Sequence, residues 1–162
     1  MAANQHQAMG KQVGDTTLTD ANRQAVSLFS LAGANGLVLG FLHGTSCAYC
    51  LEYVRRSNEY ADPLRKQGVE LVWVLKDTPS GITTFLVTAR PLPRYRVLPE
   101  CEPPLVNRLQ LADTAFPSPT LIYLDSSQTI RFVHAPENPH TPHDMNALLH
   151  IIGAAAQPRN IG

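Results

Sequence analysis

Cysteine is scarce in this chain: three residues in 162, of which Cys47 and Cys50 stand three positions apart and Cys101 stands alone. Three cysteines cannot close a disulfide framework, and a chain of this length buries a core without such staples, so the chemistry of the sulfurs matters more than their number. Net charge is lacking too. Thirteen basic and thirteen acidic side chains cancel and only 16% of residues are charged, which argues against nucleic acid or an anionic membrane surface as a partner. Repeats and low-complexity tracts do not occur. Long hydrophobic runs are missing as well: the most apolar stretch, Leu28 to Leu42, is interrupted by Gly33, Asn35, Gly36 and Gly40 and is too short to span a bilayer. The opening residues, MAANQHQAMGKQVGDTTLTD, hold no basic region followed by an unbroken apolar segment, so no signal peptide is read and a cytoplasmic location is expected.

What is present is a set of short apolar segments, 44% apolar residues in all, punctuated by 13 prolines and 10 glycines. Residues 1 to 14 read as a flexible arm and 15 to 162 as one domain. TTLTDANRQAVSLFSLAG predicts an N-terminal β-hairpin turning at Asp20-Ala21-Asn22. GLVLGFL, residues 36 to 42, and VELVWVLKD, residues 69 to 77, predict buried strands of a parallel sheet. Between them, Tyr49, Tyr53, Tyr60 and Leu64 recur at helical spacing, with Gly68 as the stop. SGITTFLVTARP predicts a short helix ended by Pro91, PRYRVLPE a brief extended piece, and PPLVNRLQL another short helix. PTLIYLD and TIRFVHA predict an antiparallel hairpin, and HDMNALLHIIGAAA a final helix. The order predicts one three-layer α/β/α sandwich with a mixed central sheet.

The cysteines fall where that order makes them interesting, in GTSCAYC, directly after a buried strand and at the head of a helix. A sulfur at a helix start faces unpaired backbone N–H groups and the positive end of the helix dipole, which favour thiolate, so Cys47 reads as the attacking sulfur. Cys50 lies one turn on and more shielded, placed to displace Cys47 from a mixed disulfide. Two plainer readings stand beside this one. The pair could be buried and inert, as small hydrophobes. It could instead be half of a zinc site, which would need a second ligand pair from Cys101 and scattered histidines. His140 and His143, in ENPHTPHD, suit a Pro-rich loop better than a metal tract. Cys101 lies between Glu100 and Glu102, whose charge should raise its pKa, and reads as a spectator, with a second resolving thiol for Cys47 as the alternative, since loops bring distant cysteines together.

The element order over residues 12 to 156, the GTSCAYC motif and the Ser118-Pro119-Thr120 tripeptide before the penultimate strand together carry a resemblance. The chain resembles the thioredoxin fold, more narrowly the redoxin branch that holds the TlpA- and ResA-like thiol-disulfide oxidoreductases and the AhpC/TSA peroxiredoxins. The N-terminal hairpin is typical of that branch. The resemblance implies a thiol-disulfide oxidoreductase working through Cys47 and Cys50, with no cofactor beyond their disulfide. It implies a protein or small-molecule disulfide as substrate, a dithiol as electron donor, and a role in redox homeostasis. It further implies that Ser118, Pro119 and Thr120 form the cis-proline platform that pairs with substrate, with Ser46 and Tyr49 beside the cysteines also contacting it.

Several residues depart from the family pattern. Ser46 stands where thioredoxins carry a tryptophan before the first cysteine, and Phe41 where they bury an aspartate that handles the second cysteine's proton. His43, at the end of the same strand, is the substitute candidate for proton transfer, because a neutral imidazole accepts a proton near neutral pH. Two alternatives remain open. A peroxiredoxin-like thiol peroxidase would want a Thr or Ser three residues before its reactive cysteine, where this chain has Gly44, with Thr45 one position off; Arg90, Arg94 or Arg96 would supply the guanidinium. A noncatalytic redox-sensing module would oxidise its CxxC without turnover.

Overall fold

Two long apolar strands set the frame. A computed structural model describes residues 6–111, 119–136, 138, 141 and 143–156 of the chain. In it β3, Gly36–Leu42, is buried at every position, and β4, Val69–Leu75, at every position but Glu70. Strands apolar on both faces belong in the middle of a covered sheet, and these two pair in parallel from Gly36 opposite Val69 to Leu42 opposite Leu75. β5, Arg96–Pro99, continues the parallel set beside β4. β6, Thr120–Leu124, runs antiparallel to β3, and β7, Ile130–His134, antiparallel to β6, giving the order β5-β4-β3-β6-β7. The expected mixed sheet is therefore present.

Helices and the N-terminal segment cover its two faces. On one side lie α1, Ala48–Lys66, α2, Pro79–Thr88, and α4, Met145–Ala156. On the other side lie the hairpin of β1, Thr17–Thr19, and β2, Ala25–Ser27, a 3-10 turn at Phe29–Leu31, and the short α3, Leu105–Arg108. The predicted hairpin turn holds because Asp20 accepts hydrogen bonds from the amides of Asn22 and Gln24, at 2.8 and 2.9 Å.

The helix after the cysteines forms as expected, but its buried stripe is not the tyrosine series. Cys50, Val54, Ser57, Ala61 and Leu64 face the sheet, a spacing of three and four that defines one helical face. Tyr53 and Tyr60 flank that stripe, half-buried, and Tyr49 is exposed. The polar member, Ser57, is inside because its hydroxyl accepts the indole N–H of Trp73 at 2.9 Å. Two glycines of β3 are required by their neighbours. A Cβ on Gly36 would come within 2.0 Å of the Leu124 carbonyl oxygen, and one on Gly40 would land 2.0 Å from the Trp73 ring.

The N-terminal arm needs correction over its described part. Ala8 and Val13 are core residues, and the backbone between them bonds to the start of β7: Gly10 donates to Ile130, Ile130 to Lys11 and Val13 to Gln128, each at 2.9 Å. The polar side chains of GKQ gave no strand pattern, since an edge segment of this kind is held by its backbone.

Candidate active site

β3 and β4 are parallel and level, so their C-terminal ends open at one rim of the sheet, the place where α/β folds put ligands. β3 delivers the chain there to His43, Gly44, Thr45 and Ser46, and α1 begins directly after. Cys47 is the residue capping α1, in extended conformation (φ −90°, ψ 118°), with its amide donating to the Gly44 carbonyl at 3.3 Å. Its sulfur makes no capping bond to the backbone and is half-exposed. Cys50, one turn on, is only 3% exposed. Both are free thiols.

The two sulfurs are neighbours with opposite environments. Burial pushes the Cys50 thiol up to about 11, partly offset by the backbone amides of Gly44 and His43; its hydrogen bond with Cys47 and the charge of that residue raise it further. A thiol withdrawn from water holds its proton more tightly. Only one sulfur of the pair is presented to solvent, and it is the one at the helix start.

β6 enters the sheet antiparallel to β3, with Thr120 opposite Phe41. The residue just before it, Pro119, therefore lies across from the cysteines. Leu42, His43, Cys47, Tyr49, Cys50, Tyr53 and Pro119 together line an open cleft of about 300 Å³. The His43 side chain is exposed in that cleft, while its backbone serves Cys50. Tyr49 is 47% exposed, a large aromatic surface beside the sulfurs. Of the other expected contacts, Ser46 is exposed but does not line the cleft, and Thr120 is fully buried in the sheet, so its side chain has no surface to offer. Ser118 and its bond to Pro119 lie outside the described residues, as does His140.

Sequence reasoning missed Leu42 and Tyr53 as cleft residues, although Tyr53 lies three positions after Cys50 and so on a neighbouring part of the same helix face. The Tyr53 hydroxyl donates to the Thr141 carbonyl, and its ring also lines a second cavity of about 330 Å³ with Trp73, His143 and Met145. It missed Asp77 as well, whose carboxylate accepts the Thr45 hydroxyl.

Cys101 is half-buried on the opposite face of the sheet, against the core beneath the hairpin. Burial first, and then the Glu100 carboxylate, push its thiol up to about 11. Among the described residues no three His, Cys, Asp or Glu side chains gather as a metal site would require, and no helix is long and apolar enough to cross a membrane.

The fold is that of the thioredoxin-like redoxins. A Chlorobium tepidum protein described as a thiol:disulfide interchange protein, DsbE, superposes with a TM-score of 0.70 at 19% identity, over 92% of this chain and 98% of that one. Peroxidoxin BcpB from Mycobacterium tuberculosis gives 0.70 at 16% identity, over 91% and 97%. Thiol peroxidase from Chromobacterium violaceum gives 0.71 at 15%, over 92% and 88%. Among curated proteins no sequence matches the chain. The sequence profile of the AhpC/TSA family matches residues 9–133, and the chain belongs to that family.

Proposed function

We propose that this chain is a thiol-disulfide oxidoreductase whose Cys47 attacks substrate disulfides and whose Cys50 resolves the intermediate. The observation that supports this most directly is the asymmetry of the pair: an accessible sulfur at the start of α1 and, one turn later, a buried sulfur whose thiol is raised to about 11. In the first step the Cys47 thiolate bonds to one sulfur of the substrate, and the other substrate sulfur leaves with the electron pair and takes a proton. In the second, Cys50 gives up its proton and attacks the Cys47 sulfur, releasing the remaining substrate thiol and closing a Cys47–Cys50 disulfide. A dithiol donor then returns two electrons and two protons. The two sulfurs carry the electrons, so the chemistry calls for no other cofactor.

His43 is the proton acceptor we assign to the second step, since among the described residues it is the imidazole that lines the cleft. Pro119 and the exposed ring of Tyr49 give a substrate chain an apolar surface beside the sulfurs. Ser118 would add backbone pairing from the residue before Pro119.

Family membership also supports a second reading, thiol peroxidase. That chemistry wants a hydroxyl and a guanidinium at the reacting sulfur. The Thr45 hydroxyl is turned to Asp77, and no arginine lines the described cleft. Arg94 is bound to Asp62, near the far end of α1, and Arg96 enters β5 level with Val72, three residues short of the rim. Disulfide exchange is therefore the reading we favour.

Parallel assays of disulfide reduction with dithiothreitol and of hydrogen peroxide consumption, on wild type, Cys47→Ser and Cys50→Ser, test it. Wild type should reduce disulfides, Cys47→Ser should fall to background, and Cys50→Ser should accumulate a mixed disulfide through Cys47. Rapid peroxide consumption that depends on Cys47, without disulfide turnover, would transfer the protein to the peroxidase reading. Inactivity in both assays would leave the redox-sensing module.

A further inference from the structure

We propose that Thr45 and Asp77 act as a positioning pair that sets the balance between dithiol and disulfide at Cys47 and Cys50, an inference that rests on the redox reading of that couple. Neither residue lines the cleft, so neither touches substrate there. Their hydrogen bond joins the loop after β3 to the loop after β4.

The Asp77 end of this bond is anchored. Its other carboxylate oxygen accepts the Thr78 amide at 2.6 Å, and Thr78 caps α2 by accepting the Gly81 amide at 3.1 Å. Gly81 leaves room for the carboxylate that no other residue would: a Cβ there would sit 2.2 Å from it. The Thr45 hydroxyl and the Thr78 amide hold the Asp77 carboxyl below the usual carboxylate range, so at neutral pH it is an anionic acceptor.

The Thr45 end governs the cysteines. Gly44 packs on the same β4–α2 loop, where a Cβ would lie 3.1 Å from the Lys76 carbonyl oxygen. The Gly44 carbonyl accepts the Cys47 amide at 3.3 Å. The Gly44 and His43 amides face the Cys50 sulfur and favour its charged form. One short turn thus supports both sulfurs, and the side chain that ties it to the body of the fold is Thr45. A thiolate or thiol sulfur accepts an amide bond better than a disulfide sulfur does, so a turn held in place stabilises the reduced pair. Loosening it should move the couple toward the disulfide.

The exchange that reads this out is balanced without substrate. The Cys47–Cys50 disulfide and two glutathiones give the dithiol and one glutathione disulfide, with one S–S bond broken, one formed, and two electrons and two protons moved onto the protein. The experiment measures the disulfide fraction across glutathione redox buffers by alkylation and mass spectrometry, for wild type, Thr45→Val, Thr45→Ser and Asp77→Asn, with the urea midpoint of each. Thr45→Val and Asp77→Asn should shift the equilibrium toward disulfide about three- to tenfold, tenfold being about 30 mV for a two-electron couple. Thr45→Ser, which keeps the hydroxyl, should stay near wild type. A fall in urea midpoint with an unmoved equilibrium would mean a purely structural bond and overturns the proposal, as does no change in either. Should Thr45→Val fail to fold, Asp77→Asn decides, because it keeps the shape of the carboxylate. A wild type that forms no Cys47–Cys50 disulfide in any buffer removes the redox reading itself and this inference with it, a result visible before any substitution is made.

Discussion

The imidazoles of His134 and His143 meet Nδ1 to Nδ1 at 2.6 Å, one ending β7 and the other just ahead of α4. Two such nitrogens bond only if one carries a hydrogen and the other a lone pair, so the contact requires at least one neutral ring. His143 is also packed on Tyr53 and Trp73, with ring centroids 5.1 and 5.9 Å away. Burial, and then the charge of His134, push His143 down to about 3; burial lowers His134 too, against the opposing pull of Asp144.

This pair predicts acid sensitivity. In the unfolded chain His143 takes its proton near 6.5, whereas in the fold it resists until about 3. Between those values the unfolded chain binds more protons, so stability is full above the upper value and declines as pH falls through the window. The slope should approach about 1.4 kcal/mol per pH unit for a single group. Urea midpoints at about pH 7.5 and about pH 5 measure it, and His143→Asn should flatten the dependence while lowering stability at neutral pH. Equal slopes in the two proteins would remove the pair from the explanation.

The cysteines predict selective labelling. Cys50 and Cys101 are each raised to about 11, so at about pH 8 each is thiolate about a thousandth of the time. Only the thiolate is alkylated. Iodoacetamide followed by peptide mass spectrometry should therefore place the first label on Cys47, with Cys50 and Cys101 modified appreciably only above about pH 10. Early modification of Cys101 would contradict the burial and Glu100 charge given for it.

Gly40 predicts a packing cost. Its missing side chain is the space the Trp73 ring occupies, at 2.0 Å from any Cβ, and Trp73 is itself held by Ser57. Gly40→Ala should destabilise by roughly 1–3 kcal/mol, the usual cost of overpacking. A lower urea midpoint with unchanged slope would show it, together with a changed Trp73 fluorescence, Trp73 being the one tryptophan in the chain.

Much of this was legible in the residues. GLVLGFL and VELVWVL are short apolar runs that no surface strand would carry, and both are central strands. PTLIYLD and TIRFVHA pair as the β6–β7 hairpin, and Asp125 holds the turn between them by accepting the Ser127 and Thr129 amides at 2.9 and 3.0 Å. The placement of the cysteine pair was legible because it depends on the four residues Cys47 to Cys50 and the strand before them. Other features depend on partners far away in the chain. Thr45 and Asp77 are 32 residues apart, and nothing at either position marks the other. Thr120 read as part of a substrate platform from its place after Pro119, yet β6 is buried at every position and Thr120, opposite Phe41, has no exposed side chain. The tyrosines of α1 suggested the buried face because they are large, while the face actually buried is made of smaller residues that let the helix approach the sheet.

The segment from Ala8 to Val13 bears on how copies of this chain can meet. An open sheet has two edges, and each is a row of unspent backbone donors and acceptors that another strand can use. Here the start of β7 is already occupied by the chain's own Gly10, Lys11 and Val13. A second molecule seeking to extend the sheet from that end would first have to peel this stretch away and expose Ala8 and Val13, both core residues. At the other edge, β5 is four residues long and ends in Pro99, which has no amide hydrogen to share. Extension of the sheet by a second copy is thus discouraged at the start of β7 and at the end of β5.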